Sequence, residues 1–182
     1  MKLMFASDIH GSAYYCEKML ECYRKENAER LWILGDILYH GPRNDLPKEY
    51  APKKVIPMLN EIKEQICAVR GNCDTEVDQM VLEFPILADY SLLVEGDLRI
   101  YATHGHVYNE QHMLPLMPGD ILIHGHTHIY EAKKAGEQYI LNPGSVSIPK
   151  GGNPATYAIL EDGVFSIKDL DGQVQKSIDL RK

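Results

Sequence analysis

KLMFASDIHG, residues 2–11, sets the apolar run KLMFAS directly against a polar stop, Asp8-Ile9-His10-Gly11. A short apolar run bounded by turn signals reads as a buried strand. The same unit recurs four times. LWIL (31–34) stops at Gly35-Asp36, and ICAV (66–69) is followed by Gly71-Asn72-Cys73-Asp74. LRIYAT (98–103) runs into His104-Gly105-His106, and DILI (120–123) into Gly125-His126-Thr127-His128. In open α/β sheets, ligands bind beyond the carboxyl ends of the strands, so five such stops on neighbouring strands converge. The glycines let the chain turn sharply and approach a ligand closely. Asp8/His10 and His126/His128 are i, i+2 pairs, which on extended backbone point to one side and present two ligands together.

Outward from these stops, Ser12 is placed to cap a helix over about 13–27, with Met19, Leu20 and Tyr23 as its apolar stripe. A second helix is expected from Pro52 to about Lys63, because the fixed φ of proline suits a first helical position. Residues 90–95 and 98–103 flank Gly96-Asp97 as an antiparallel hairpin. From 130 onward, hairpin segments are punctuated by Ala135-Gly136, Asp162-Gly163 and Asp171-Gly172. Strands alternating with helices, then a meander of hairpins, predict an α/β fold with two packed sheets and helices outside. No linker or repeat interrupts the 182 residues, so 1–182 is expected to be a single domain.

Composition narrows the function. With 45% apolar residues and no run of about 18 of them, nothing reads as a membrane span. The polar residues Ser7, Asp8 and His10 come too early for a signal-peptide core, so the expected location is cytoplasmic. A net charge of −7 argues against non-specific nucleic-acid binding, which draws its affinity from Lys and Arg on phosphates. The four cysteines, at 16, 22, 67 and 73, include no CxxC pair and read as small core residues; only Cys73 has chemically interesting neighbours.

The donors at the five stops are Asp, His and Asn, which suit Mn²⁺, Fe, Co²⁺, Ni²⁺ or Zn²⁺ better than a structural thiolate site. Seven candidates, Asp8, His10, Asp36, Asn72, His104, His126 and His128, are too many for one catalytic ion and suit two ions sharing a carboxylate. No GxSxG elbow or P-loop competes. A lone His at a strand end is more often structural, which is the expectation for His40, His112 and His124.

These stops, in this order, resemble the calcineurin-like metallophosphoesterase superfamily, whose pattern runs D-x-H, G-D, G-N-(H)-(D/E), H, G-H-x-H. The segments GPRN (41–44), RGNCDTEVDQM (70–80) and NPGSVSIPKGGNP (142–154) resemble its small bacterial phosphodiesterases of the YfcE type. The resemblance spans Lys2 to about Tyr157. It implies a metallo-dependent phosphatase-like fold, a two-sheet β-sandwich flanked by α-helices in four layers (αββα). It implies one metal held by Asp8, His10, Asp36 and His128, and a second by Asp36, Asn72, His104 and His126. It further implies hydrolysis of a small phosphodiester by a hydroxide shared between the two ions, Mn²⁺ foremost. Asn72 would also approach a phosphate oxygen, and Arg43 and Lys150 would lie near the site as substrate-binding residues. His106 is left open between a supporting and a substrate-side role.

One departure matters. Many members carry His after Gly-Asn, where it protonates the leaving group, and this chain has Cys73. A thiol is a weak donor and shorter than imidazole, so the general-acid step is in doubt, which disfavours monoesters with poor leaving groups. Packing in the pocket wall is the competing role for Cys73. Asp74 either orients a ligand or caps the helix that follows. The alternative function is a Vps29-like interaction scaffold with a vestigial metal site. A homo-oligomer is also left open.

Overall fold

Strand β1 (Leu3–Ala6) has no exposed residue, and its alternation sorts its side chains between two cores. Met4 and Ala6 pack with Ala13, Cys16, Met19 and Leu20 of helix α1 (Ala13–Glu26); Leu3 and Phe5 pack with Ile100, Ile121 and Leu141. Strand β2 (Arg30–Ile33) divides the same way, with Leu31 and Ile33 on the helix side and Trp32 on the other. A strand covered on both faces has no polar side, which is why these segments read as unbroken apolar runs. Phe5 lies between Trp32 and Phe165, with ring centroids 6.2 and 6.1 Å away. Truncating a buried aromatic of this kind to Ala costs about 3–5 kcal/mol.

The structure is a computed structural model and describes residues 1–181. After β2 come helix α2 (Pro52–Asn60), strand β3 (Ile66–Ala68) and the short helix α3 (Glu76–Gln79). Eight strands follow: β4 (Tyr90–Glu95), β5 (Leu98–Thr103), β6 (Ile121–Ile123), β7 (Glu131–Ala135), β8 (Gln138–Asn142), β9 (Thr156–Glu161), β10 (Val164–Asp169) and β11 (Val174–Asp179). They form a six-stranded sheet, β11-β10-β9-β1-β2-β3, and a five-stranded sheet, β4-β5-β6-β8-β7. Within the first sheet β1, β2 and β3 are parallel, and within the second β5, β6 and β8 are parallel. The five polar stops follow β1, β2, β3, β5 and β6. All five therefore leave the carboxyl ends of parallel strands.

The α/β two-sheet sandwich flanked by helices is the expected one. Its helices are few. Helices α1 and α2 cover the six-stranded sheet, and the chain between β5 and β6 crosses residues 104–120 without a regular element. That segment reaches β7 through the Lys133–Glu110 salt bridge and β4 through the edge-on contact of Tyr108 with Tyr90.

Local signals mark the ends of elements. Ser12 caps α1 by accepting from Tyr15 N (3.2 Å), and Asn27 closes the helix in the left-handed conformation. Pro52 starts α2 as expected, but the helix stops at Asn60 rather than near Lys63. There the Asn60 side-chain amide turns to Val81 O and Glu83 N, both at 2.9 Å, and a 3₁₀ turn (Lys63–Gln65) carries the chain into β3.

Candidate active site

Five of the seven metal-ligand candidates have positive φ: Asp8 (59°), His10 (49°), Asp36 (54°), His126 (65°) and His128 (60°). The expectation that the i, i+2 pairs act from extended backbone is corrected here. The chain turns at each of these residues, and the turn, not the pleat, aims the side chain inward. A non-glycine residue held in this region costs on the order of 1–3 kcal/mol, so the surroundings must over-determine it. They do so by lacing the β1 stop to the β2 stop: Asp8 N donates to Gly35 O (3.1 Å), His10 N to Asp36 O (2.9 Å) and Gly11 N to Ile37 O (2.8 Å). The glycines leave room for this. A Cβ on Gly71 would overlap Asp36 Oδ1, and one on Gly125 would overlap Ser7 Oγ.

Three imidazoles point the same nitrogen inward. His10 Nδ1 donates to Tyr39 O (2.7 Å), His104 Nδ1 to Leu34 O (2.6 Å) and His128 Nδ1 to Ile148 O (2.7 Å). Nε2 is thereby the nitrogen left facing the centre, the one through which a metal ligand binds once it is deprotonated. His128 Nε2 lies 3.2 Å and His10 Nε2 3.5 Å from Asp8 Oδ1. Asp36 Oδ2 lies between two groups, 3.7 Å from His10 Nε2 and 3.5 Å from His104 Nε2. His104 Nε2 is in turn 3.1 Å from Asn72 Oδ1 and 3.2 Å from His126 Nδ1. The seven side chains thus form two neighbouring groups that meet at Asp36.

The charges are strongly perturbed. Burial pushes Asp8 up, but His10, His128 and His104 outweigh it and hold the carboxyl well below its usual range. Burial likewise pushes His104 down, yet its contact with Asp36 and the charge of Asp8 lift it to about 9. His126 is pushed down to about 4 by burial and by the neighbouring His104.

The donor set fits divalent metal. Asp8, His10 and His128 converge closely enough to hold an ion, as do Asp8, Asp36 and His104. Asp8 supplies the sharper test. Its Oδ2 accepts from Ser7 Oγ (2.7 Å) and His126 N (3.1 Å), whereas Oδ1 is buried with no hydrogen-bond partner among the described residues. A buried bare carboxylate oxygen is costly unless a cation satisfies it.

Asp74 takes the first of its two expected roles. Its Oδ2 accepts from Gly71 N (2.7 Å) and Asp36 N (2.9 Å), and its Oδ1 from Ile37 N (2.9 Å). It clamps the β2 and β3 stops together, while Thr75 caps α3.

Asp36, Asn72, Cys73, His126 and His128 open on a cleft of about 300 Å³, whose rim includes Arg43, Asn44 and Lys150. Cys73 is buried. Its N–H donates to Asp36 Oδ1 (2.8 Å), and burial together with the Asp36 charge pushes the thiol far up, so it stays protonated. His106 does not open on this cleft. It lines a second cavity, with Asn109, His124 and Glu131 on the far side of His126, and its buried Nδ1 has no hydrogen-bond partner among the described residues. His124 is structural as expected, with Nδ1 3.0 Å from Gly125 O, and the His112 ring bonds Val107 O. His40 departs from that expectation. Its Nδ1 has no hydrogen-bond partner among the described residues, and its ring sits edge-on to Tyr39 and Tyr50.

Sequence reasoning missed the supports. Ser145 and Ser147 both donate to Asp8 O (3.0 and 2.9 Å), and Asn142 Nδ2 donates to Gly125 O (2.9 Å). The segment NPGSVSIPKGGNP carried the signal, since its polar residues are spaced without strand or helix period. The carbonyls of Leu34, Tyr39 and Ile148 left none, because a backbone acceptor has no residue type.

Comparison with known proteins gives the family. Residues 1–162 match the family described as the calcineurin-like phosphoesterase superfamily domain. The chain is 51% identical to phosphodiesterase YfcE of Escherichia coli K12 over 173 residues, covering 95% of this chain and 94% of that one. The solved structure of the E. coli phosphoesterase superposes over the full length of both chains with a TM-score of 0.98 at 49% identity. Vps29 from Entamoeba histolytica, at 24% identity and a TM-score of 0.63 over 98% of this chain, shares the fold. The chain belongs to the calcineurin-like phosphoesterase superfamily.

Proposed function

We propose that this chain is a cytoplasmic, metal-dependent phosphodiesterase that binds two divalent cations, preferably Mn²⁺, and hydrolyses a small phosphodiester. The observation that carries the reading is the pair of donor groups meeting at Asp36, with three histidines each locked by a backbone carbonyl so that Nε2 faces inward. Asp8, His10, Asp36 and His128 are assigned to one cation, and Asp36, Asn72, His104 and His126 to the other. Bound there, two dications lower the pKa of the attacking water and offset charge on the phosphate. Asn72 orients a phosphate oxygen, and Arg43 and Lys150 at the cleft rim hold the anion. The O/N donor set suits Mn²⁺, Fe, Co²⁺, Ni²⁺ or Zn²⁺ rather than a thiolate site, and the choice of Mn²⁺ among them rests on the family resemblance. A net charge of −7 favours a small diester over nucleic acid.

Cys73, a thiol whose acidity burial and the Asp36 charge weaken, is a poor general acid, which favours diesters with good leaving groups over alkyl monoesters. His106 acts from outside the cleft, as a support behind His104 and His126, at ring distances of 5.4 and 6.3 Å. A scaffold with a vestigial site has no need of three tautomer-locking carbonyls, and no observation favours it. The test is chelation followed by metal titration. Metal-free protein is expected to lose hydrolysis of bis(p-nitrophenyl) phosphate, and Mn²⁺ to restore it. Undiminished turnover by rigorously metal-free protein refutes the reading. Asn72→Ala is expected to keep the fold and at least one ion while losing most turnover.

A further inference from the structure

An apolar groove of about 370 Å³ adjoins the catalytic cleft, lined by Leu38, Tyr39, Tyr50, Ile56, Val77 and Val81. Two features set it directly beside the cleft. Cys73 lines both, and its N–H is one hydrogen bond (2.8 Å) from the Asp36 carboxylate where the two donor groups meet. The loop between β2 and α2 walls both as well: Gly41, Pro42, Arg43 and Asn44 face the cleft, while Tyr39 and Tyr50 face the groove. Tyr39 belongs to both worlds, since its carbonyl fixes His10.

The surface of the groove is chemically uniform. Its one carboxylate, Asp78, is folded back onto Thr75, accepting from the backbone N–H (2.8 Å) and the hydroxyl (2.9 Å). Val77 and Val81 stand 69% and 41% exposed on its far lip, an arrangement that neither the core nor the metal site requires. Small-ligand sites are typically apolar and aromatic walls beside a few fixed polar groups. Here the polar groups are in the cleft and the walls are in the groove.

We propose that the groove is a subsite for one arm of the substrate, and that this arm is flat, uncharged and aromatic. The inference rests on the phosphodiesterase reading for its phosphate end. The phosphoryl group lies in the cleft by Asn72, Arg43 and Lys150, and the aromatic arm passes Cys73 to lie against Tyr39, Tyr50 and the two valines. The arm crosses over Cys73, a small, uncharged side chain that lines both spaces.

Two non-hydrolysable probes, methylphosphonate and phenylphosphonate, test this on the Mn²⁺-loaded full chain, with binding read by calorimetry and by competitive inhibition. Phenylphosphonate is expected to bind about tenfold more tightly, the low end of what an apolar pocket contact discriminates. The exposed-site double variant Val77→Asp/Val81→Asp is expected to reduce that ratio to about one. Metal content and methylphosphonate affinity should stay unchanged, and Val77→Leu/Val81→Leu should keep the ratio. A ratio of one in the unmutated protein, or one that survives the Asp substitutions, overturns the proposal. So does a change in molar mass with the ratio intact, which assigns the valine lip to self-association. Absence of diester turnover with any metal refutes the function of the site but leaves the phosphonate ratio readable, so the two failures are distinguishable.

Discussion

Replacing Asp74 by Asn isolates the clamp from the metal ligands. The Asp74 carboxylate serves three N–H donors: Gly71 and Asp36 at Oδ2, Ile37 at Oδ1. An Asn side chain can offer its carbonyl to the first pair, but its NH₂ then faces the Ile37 N–H, donor against donor. One buried bond is lost and one buried donor is left bare, a penalty of about 1–3 kcal/mol. For a chain of 182 residues, each kcal/mol lowers Tm by roughly 2–4 °C, so a drop of about 2–12 °C is expected. Activity should suffer more than stability. The Ile37 and Asp36 amides position the carboxylate that both donor groups share, and loss of such a support typically costs about 10–100-fold in metal affinity or turnover. Thermal unfolding, Mn²⁺ titration and turnover on an aryl diester measure all three quantities. Wild-type turnover and Mn²⁺ affinity with Tm unchanged would refute the clamp. A lowered Tm with wild-type activity would confine Asp74 to stability.

Other perturbations probe the ligands themselves. Asp36→Ala is expected to reduce metal occupancy in both groups, more than any other single ligand replacement; two tightly held ions per chain by elemental analysis would contradict its shared role. His104, lifted to about 9, is protonated below that pH in metal-free protein, so metal must displace its proton. Apparent affinity should therefore rise with pH, by up to about tenfold per unit until pH 9, with proton release measurable in unbuffered titration. Flat affinity without proton release between about pH 6.5 and 8.5 would contradict this. Cys73→His is expected to raise the ratio of alkyl monoester to aryl diester rates by about tenfold, the ratio cancelling metal loading. An unchanged ratio in folded, metallated protein would show that pocket shape, not a missing acid, limits monoester cleavage.

Much was legible in one dimension because strand ends announce themselves. Apolar runs buried on both faces have no polar alternation, so LMFA, LWIL and ILI stand out, and the polar residues that follow each lie beyond the carboxyl end of a strand. Residue type alone then named Asp8, His10, Asp36, Asn72, His104, His126 and His128 as metal-competent, and periodicity and turn dipeptides gave the order of helices and hairpins. What sequence could not carry is whatever depends on backbone direction or on partners without a residue type. The left-handed turn at five ligands was invisible; at Asp8, His10 and Asp36 it goes with the hydrogen bonds that lace the β1 and β2 stops together. The choice between Nδ1 and Nε2 was made by carbonyls 20 to 70 positions away, at Ile148, Tyr39 and Leu34. His106 sits two residues from His104, yet faces a different cavity, because the chain turns at Gly105 between them. Cys73 shows the division most plainly: the sequence supplied a thiol beside Asn72, and only the packing of two loops made it the wall between a polar cleft and an apolar groove.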